Sequence, residues 1–383
     1  MVERRSPIKV GEAVRRVMEW KQLGEIEYVD IDACDRRFLG KPLVADHDVP
    51  PFDRSPYDGF AVRSEDTADA TSDSPVFLEV IDEIGAGQVS PFRVGKMEAI
   101  RIMTGAAIPE GADCVVMLEL VHEEKRDGKT FIAIKRPFQK HDNISFKGED
   151  AKKGQPLIEE GIQINPGVKA LLATFGYAKV PVVKPPVVGV LATGSELLNV
   201  DEELVPGKIR NSNLYMIASQ IERAGGKVKT YGQCADDVDS VLNAVKTAYK
   251  ECDIVITTGG VSVGDFDYLP EIYRQMKAEV LFNKIAMRPG SVTTAAVLNG
   301  KMLFGLSGNP SACYVGFELY VRPLIRYWLH SSKPYLRQGK AFLQSEFPKA
   351  NPFSRFVRSR VFYGEDGKLH VKPVGLDKSN VVT

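Results

Sequence analysis

The sequence predicts a multidomain protein of the α/β and β classes. It expects a doubly wound α/β domain in the second half, a β-rich module before it and a small β domain at the end. Three observations lead there. At 383 residues the chain is too long for one ordinary domain, and about two to four are expected. From Val187 onward, short apolar runs alternate with segments of helical period, the pattern of a parallel or mixed sheet covered on both faces. Around residues 75–135, short strands are separated by Gly, Pro and Asp, which fits a compact β module.

The elements follow in order. Val10, Val14, Val17 and Met18 share one face of a short amphipathic helix within residues 10–22. The segment VPPFDRSPYDGFAVRSED at 49–66 is stiffened by Pro50, Pro51 and Pro56, and Asp58-Gly59 reads as a turn between hydrophobic residues. VFLEVIDEI, EAIRIM, DCVVMLELV and TFIAIK are the strands of the β module. VKALLATFG reads as a helix stopped by Gly176. Pro181, Pro185 and Pro186 mark a stiff linker and the clearest boundary. Beyond it, Val187–Ala192 is a strand, residues 213–224 form a helix closed by Gly225-Gly226, and Val238, Val241, Leu242 and Val245 define another. A strand at 253–258, a helix at 268–277 and the strands EVLFNKIA, VTTAAVL and KMLFGLSG come next. Asn309-Pro310 opens a last helix that runs to about Trp328, with proline in its first turn. The tail, 329–383, returns to β segments such as RFVRSRVF and KLHVKPV. It ends at Asn380-Val381-Val382-Thr383 in what reads as a strand, so an incomplete C-terminus is expected for so small a domain.

Composition excludes several classes. Lys+Arg and Asp+Glu are both 50, so net charge offers no bulk attraction for nucleic acid or an anionic membrane. The five cysteines are scattered, with no CxxC pair, which points to a reducing compartment without a disulfide framework or zinc cluster. The N-terminus lacks a signal-like apolar core, and no run reaches the roughly 18 apolar residues of a membrane span. A cytoplasmic protein is expected.

Chemistry concentrates in loops after strands. In DIVITTGGVSVGDFDY at 253–268, an apolar β-branched run leads into Gly259, Gly260 and Gly264 with Asp265 and Asp267. Glycine lets backbone approach a ligand closely, and open α/β sheets bind ligands beyond the carboxyl ends of their strands. The loops Thr193–Glu196, Arg288–Ser291 and Ser307–Pro310 are expected at the same edge. Any one of them is as readily a plain connection. Glu196, Asp236, Asp237, Asp265 and Asp267 suit a magnesium ion that also touches phosphate, although Asp237 and Asp267 are equally placed to cap helices. Lys284 and Arg288 lie four apart and fall on one face if the backbone between them is a strand; the alternative is a solvated edge. Earlier in the chain, Asp58 is a candidate for presentation to a site, and Thr104-Gly105 is a weaker one.

With these residues in hand, PFDRSPYDGFAVR, RIMTGAAIPEGAD, KGEDAKKG, GVLATGSEL, KIRNSN, TTGGVSVGDFDY and GLSGNP occur in order across residues 51–310. On these strings the chain resembles the MoeA family of molybdopterin molybdenumtransferases, related to the E domain of gephyrin. The resemblance implies insertion of molybdenum from molybdate into adenylylated molybdopterin, with release of AMP and dependence on Mg2+. It implies catalytic roles for Asp58, Thr104, Glu196, Asp236 and Asp267, with Glu196 and Asp267 as magnesium ligands. Gly259, Gly260, Ser262, Lys284, Arg288, Ser307, Asn309 and Pro310 match binding positions, and Arg355 and Ser379 resemble positions that hold molybdate. Where many relatives read Lys-Pro-Gly-Lys-Pro, this chain has Arg288-Pro289-Gly290-Ser291-Val292, which keeps the first charge and omits the second.

The family fold implies an elongated homodimer. Its divisions would be 1–50 plus 139–180 as a mixed α/β domain, 51–138 as an inserted β-rich module, 181–328 as the molybdopterin-binding α/β domain and 329–383 as the C-terminal β domain. The implied site is shared between one subunit's α/β domain and the other's β module. Other proteins of molybdenum cofactor biosynthesis are expected partners; nucleic acid and membrane are not. Two other functions compete: a nucleotide-handling enzyme such as an adenylyltransferase or pyrophosphatase, and a scaffold. The segment 51–66 speaks against the first, and the lack of a long linker or partner-binding tail against the second.

Overall fold

The structure is a computed structural model that describes residues 6–234, 237–260, 269–347 and 352–375. The chain divides into two compact units, Met1–Lys41 with Glu159–Thr383, and Pro42–Ile158.

The first unit is built on a six-stranded mixed sheet. Its order is Lys227–Cys234, Val187–Thr193, Ile254–Thr258, Lys301–Leu306, Thr294–Leu298, Glu279–Phe282. The first four strands are mutually parallel, and the last two turn antiparallel. Period-two alternation divides the side chains between two cores. Val188, Val190, Ile254, Ile256, Met302 and Phe304 face one way, onto Ile217 and Ile221 of the Ser212–Ala224 helix, Phe317, and Ala13 and Val17 of the Val10–Met18 helix. Leu191, Val255 and Leu303 face the other way, onto Val241, Leu242 and Val245 of the Val238–Glu251 helix and onto Ile272 and Tyr273. Both faces are therefore dry, as the continuous apolar strands predict. The Ser212–Ala224 helix starts on the Asn211 cap, which accepts from the Leu214 N–H at 3.2 Å, and stops at Gly225 with φ 101°.

The expected last helix is present but not uniform. Pro310–Gly316 is α-helical, Phe317–Val321 widens to a π turn, and Arg322–Trp328 resumes the α form. Pro323 has no N–H to give the preceding turn, a common cause of such irregularity. In the tail, Phe342–Leu343, Leu369–Pro373 and Ser359–Tyr363 form a three-stranded sheet.

The expected proline linker is only partly one. Lys179–Val183 is a strand paired antiparallel with Ile26–Asp30, and Pro181 stands opposite Tyr28 within it. The other side of this strand carries only an isolated bridge, Leu39 with Val182, and there Pro181 is an acceptor, its carbonyl taking the Gly40 N–H at 2.9 Å, so a residue without an N–H is tolerated. The stiff irregular stretch is confined to residues 184–186.

The second unit is a six-stranded sheet in the order Cys114–Met117, Gly59–Val62, Glu98–Ile102, Val76–Ile84, Lys129–Ile134, Val121–Arg126. Its faces bury two clusters, one around Phe60, Val62, Leu78 and Ile132, the other around Ala61, Ile84, Ile100 and Val115. The turn expected at Asp58-Gly59 is a bend that ends at Asp58. Gly59 opens a fully buried strand that pairs on both sides, with Glu98–Ile102 and with Cys114–Met117. A Cβ at Gly59 would lie 2.2 Å from the Val116 carbonyl oxygen, so glycine is there for close backbone approach rather than for turning. Gly59→Ala is expected to destabilise this unit by about 2 kcal/mol or more through overpacking. The check is the denaturant midpoint, and an unchanged midpoint would contradict the close approach.

Candidate functional site

Parallel strands that diverge in chain order leave a crevice at their carboxyl ends. Here the reversal falls between Val187–Thr193 and Ile254–Thr258, since the chain moves outward to Lys227–Cys234 and then back across. The loops after these strands meet closely. A Cβ at Gly259 would lie 2.4 Å from the Thr193 carbonyl oxygen, and one at Gly260 would lie 3.0 Å from Thr193 Oγ1. Both glycines have positive φ, 91° and 65°. The Gly259 N–H donates to the Leu306 carbonyl at 3.1 Å, which ties this loop to the Ser307–Pro310 loop. A Cβ at Gly308 would stand 3.6 Å from Gly259 Cα. Glu196 is exposed, and its carboxylate lies back over Gly194, where a Cβ would be 2.4 Å from Oε2. The strand-end loops of Thr193–Glu196, Gly259-Gly260 and Ser307–Gly308 thus come together as expected.

Beside them lies a cavity of about 410 Å³. Three of its lining residues are arginines, Arg288, Arg355 and Arg358; Ser291, Ser307, Asn309 and Ser311 add hydroxyl and amide groups. The backbone explains how distant residues arrive there. Met287–Arg288 and Ser354–Arg355 form a parallel bridge in which Arg288 stands opposite Arg355. The Phe356 N–H donates to the Arg288 carbonyl at 2.8 Å, and the Ser354 N–H to the Ala286 carbonyl at 3.2 Å. Like charges placed opposite one another repel unless an anion lies between them. The donor set is that of an oxyanion site, since guanidinium forks match such groups with two parallel hydrogen bonds.

Not every expected residue joins. Lys284 is absent from the cavity lining. Its assumed strand ends at Phe282, so the period-two argument that paired it with Arg288 fails; residues 283–286 are irregular, and the Lys284 carbonyl accepts from the Ile8 N–H at 3.1 Å. Asp237 is the cap of the Val238–Glu251 helix, accepting from the Ser240 N–H at 2.8 Å. Those bonds to Ser240 hold its carboxyl below the usual Asp value. Pro310 starts its helix next to the lining residues Asn309 and Ser311. Asp236, Ser262, Asp265, Asp267 and Ser379 lie outside the described residues.

In the second unit, Asp58 and Thr104 come together. Thr104 donates both its N–H, at 2.7 Å, and its hydroxyl, at 2.8 Å, to the same oxygen, Asp58 Oδ1. The backbone donation is the larger cause, the hydroxyl the next, of a carboxyl held below the ordinary Asp value. Asp58 is exposed and fully ionised near neutrality, with its hydrogen bonds to Thr104 taken at one oxygen.

Two contributors were missed in the sequence. Arg358 follows Arg355 by three residues in RFVRSR, a run read only as strand. Asn213, in the KIRNSN string, donates from Nδ2 to the Gly308 carbonyl at 2.7 Å and anchors the Ser307–Pro310 loop. The cluster of Arg355, Arg358 and Arg360 was the available signal for Arg358. The KIRNSN string marks the segment, but the role of Asn213 depends on a partner 95 residues away.

Among the described residues, no group of three or more His, Cys, Asp or Glu could hold a metal ion, and no helix is long and apolar enough to cross a membrane.

Fold and cavity define the class: an α/β protein with glycine-rich strand-end loops beside a pocket lined by three arginines. Residues 8–176 match the family described as the MoeA N-terminal region (domain I and II), and residues 189–327 match the probable molybdopterin binding domain. The chain is 58% identical over 383 residues to a molybdopterin molybdenumtransferase of Bacillus subtilis strain 168, spanning all of this chain and 89% of that one. It is 51% identical over 382 residues to a protein of the same name from Staphylococcus aureus strain COL, spanning 90% of it. A crystal structure of the molybdopterin biosynthesis MoeA protein from Pyrococcus horikoshii OT3 superposes with a TM-score of 0.83 at 31% identity, covering 98% of this chain and 92% of that one. The chain belongs to the MoeA family.

Proposed function

We propose that this chain is an enzyme that inserts molybdenum from molybdate into adenylylated molybdopterin and releases AMP, a step of molybdenum cofactor biosynthesis. The observation that carries the reading is the cavity of Arg288, Arg355 and Arg358 adjoining the strand-end loops. A doubly charged tetrahedral oxyanion matches three guanidinium groups and neighbouring hydroxyls. The glycine backbone of Gly259 and Gly260 leaves room for a phosphate-bearing ligand at the adjoining edge. The relatives from Bacillus subtilis and Staphylococcus aureus are named molybdopterin molybdenumtransferases, which supports transfer of molybdenum to molybdopterin.

In this reading the cavity binds molybdate, with Ser307, Asn309 and Pro310 placing the substrate beside it and Ser379 assisting. Ser262 and Lys284 remain binding positions by their match to the family. Asp58, Thr104, Glu196, Asp236 and Asp267 are the catalytic set. Asp58 accepts or positions a proton while Thr104 fixes its orientation. Magnesium fits the donor chemistry: the ion takes one or two carboxylates and completes its shell with phosphate and water oxygens. Glu196 supplies a carboxylate at the strand ends, and Asp267 would be the second ligand. Bound there, the ion would offset negative charge on the phosphoanhydride. The protein is expected to work as a homodimer with four domains per chain, divided near residues 50, 138, 180 and 328. It is expected in the cytoplasm, where its five free cysteines stay reduced.

The test is AMP release from adenylylated molybdopterin by purified protein, with and without molybdate. Release that depends on molybdate is expected. Formation of adenylate from ATP and molybdopterin, with no molybdate-dependent release, would favour the adenylyltransferase reading.

A further inference from the structure

We propose that Ser55 is a positioning residue that holds the Asp58 carboxylate in its clamp with Thr104. The proposal rests on the reading of Asp58 as a catalytic group. Ser55 is fully buried, although it lies in an irregular segment only three residues before the exposed Asp58. Its hydroxyl donates to the Tyr57 carbonyl and accepts from the Tyr57 N–H, the latter at 3.2 Å. One oxygen thus fixes both backbone groups of the residue before Asp58. The Ser55 backbone is bound in turn to the segment that carries Thr104: Gly105 N–H donates to the Ser55 carbonyl at 2.8 Å, and Ser55 N–H donates to the Ala106 carbonyl at 3.0 Å. From the other side, the Leu118 N–H donates to the Asp58 carbonyl at 3.0 Å.

The consequence is a fixed register between residues 55–58 and 104–106. Asp58 Oδ1 takes two donors from Thr104 only while that register holds. Pro56 has no N–H and cannot anchor the turn itself, so the work falls to the Ser55 side chain. Removing its hydroxyl leaves the Ser55 backbone bonds in place but frees the turn that carries Asp58. The residue does not touch substrate; it acts through Asp58.

The test is Ser55→Ala in the full-length protein, read by amide exchange at Thr104 and by kinetics. The Thr104 amide is expected to exchange about tenfold faster or more, while amides of the Glu98–Ile102 strand keep their protection. Turnover is expected to fall about tenfold with substrate KM unchanged. Ser55→Ala combined with Thr104→Val is expected to cost no more than the worse single change, because both act on one clamp. If the alanine variant does not fold, Ser55→Cys carries the test, since it keeps a side chain of similar shape but donates weakly. Unchanged Thr104 exchange, or losses that multiply in the double variant, would overturn the proposal. Asp58→Asn separates the two claims: if it retains full turnover, Asp58 is not catalytic, yet exchange at Thr104 still decides the role of Ser55.

Discussion

Arg358→Ala is expected to raise the molybdate concentration for half-maximal turnover by about 10- to 100-fold, in line with loss of one charge-assisted hydrogen-bonding group. Arg288 and Arg355 are brought opposite one another by the bridge between Met287–Arg288 and Ser354–Arg355, and Arg358 completes the cationic lining. An oxyanion shared by three guanidiniums loses affinity steeply when one is removed. Arg358→Lys should recover only part, because an ammonium keeps the charge but not the paired donors. The bond from the Val374 N–H to the Arg358 carbonyl, at 3.0 Å, is a backbone bond and survives either change. Arg288→Ala should behave alike, and the Lys284→Ala effect should be much smaller, since Lys284 does not line the cavity. Equal molybdate dependence in wild type and Arg358→Ala would remove the cavity from the account.

Asp58→Asn should lower turnover about 100- to 1,000-fold with little change in KM, as expected for loss of a positioned acid–base group. Asparagine keeps the acceptor oxygen that Thr104 binds, so the variant removes charge and basicity without removing the clamp. The pH dependence has a defined sign. Asp58 is held below its ordinary value by the Thr104 N–H and then by its hydroxyl, so its charged form is present above that ordinary value and is lost as pH falls through the lowered one. Thr104→Val removes the hydroxyl donor alone. It should move the acid limb of the turnover profile upward, toward the ordinary carboxylate range. A limb that stays in place in Thr104→Val would mean that Asp58 does not set it.

Much of the fold was legible because its signals are local. The β-branched run of Ile254–Thr258, the Gly225 stop of one helix and the apolar runs of the core strands are written in neighbouring residues. The errors came from residues whose meaning is set at a distance. Gly59 looks like a turn glycine, but the reason for it is the Val116 carbonyl across the sheet. Pro181 looks like a linker proline, but its strand has Ile26–Asp30 as partner. The spacing of Lys284 and Arg288 suggests one strand face, but the strand stops at Phe282. The site divides the same way. Asp58 stands in a dense segment and Thr104 is a weaker signal after a strand, while Arg358 gains its place only through a bridge between segments 67 residues apart, Met287 with Ser354. Asn213 likewise matters only through Gly308.

In the proposed reaction, AMP release and molybdenum insertion are coupled. The most direct measurement is the molybdenum bound to molybdopterin and the AMP released in the same incubation of purified protein with adenylylated molybdopterin and molybdate. They are expected to rise together in equal amounts, and Arg358→Ala and Asp58→Asn are expected to lower both. AMP released at the full rate without molybdenum entering the pterin would contradict the coupling.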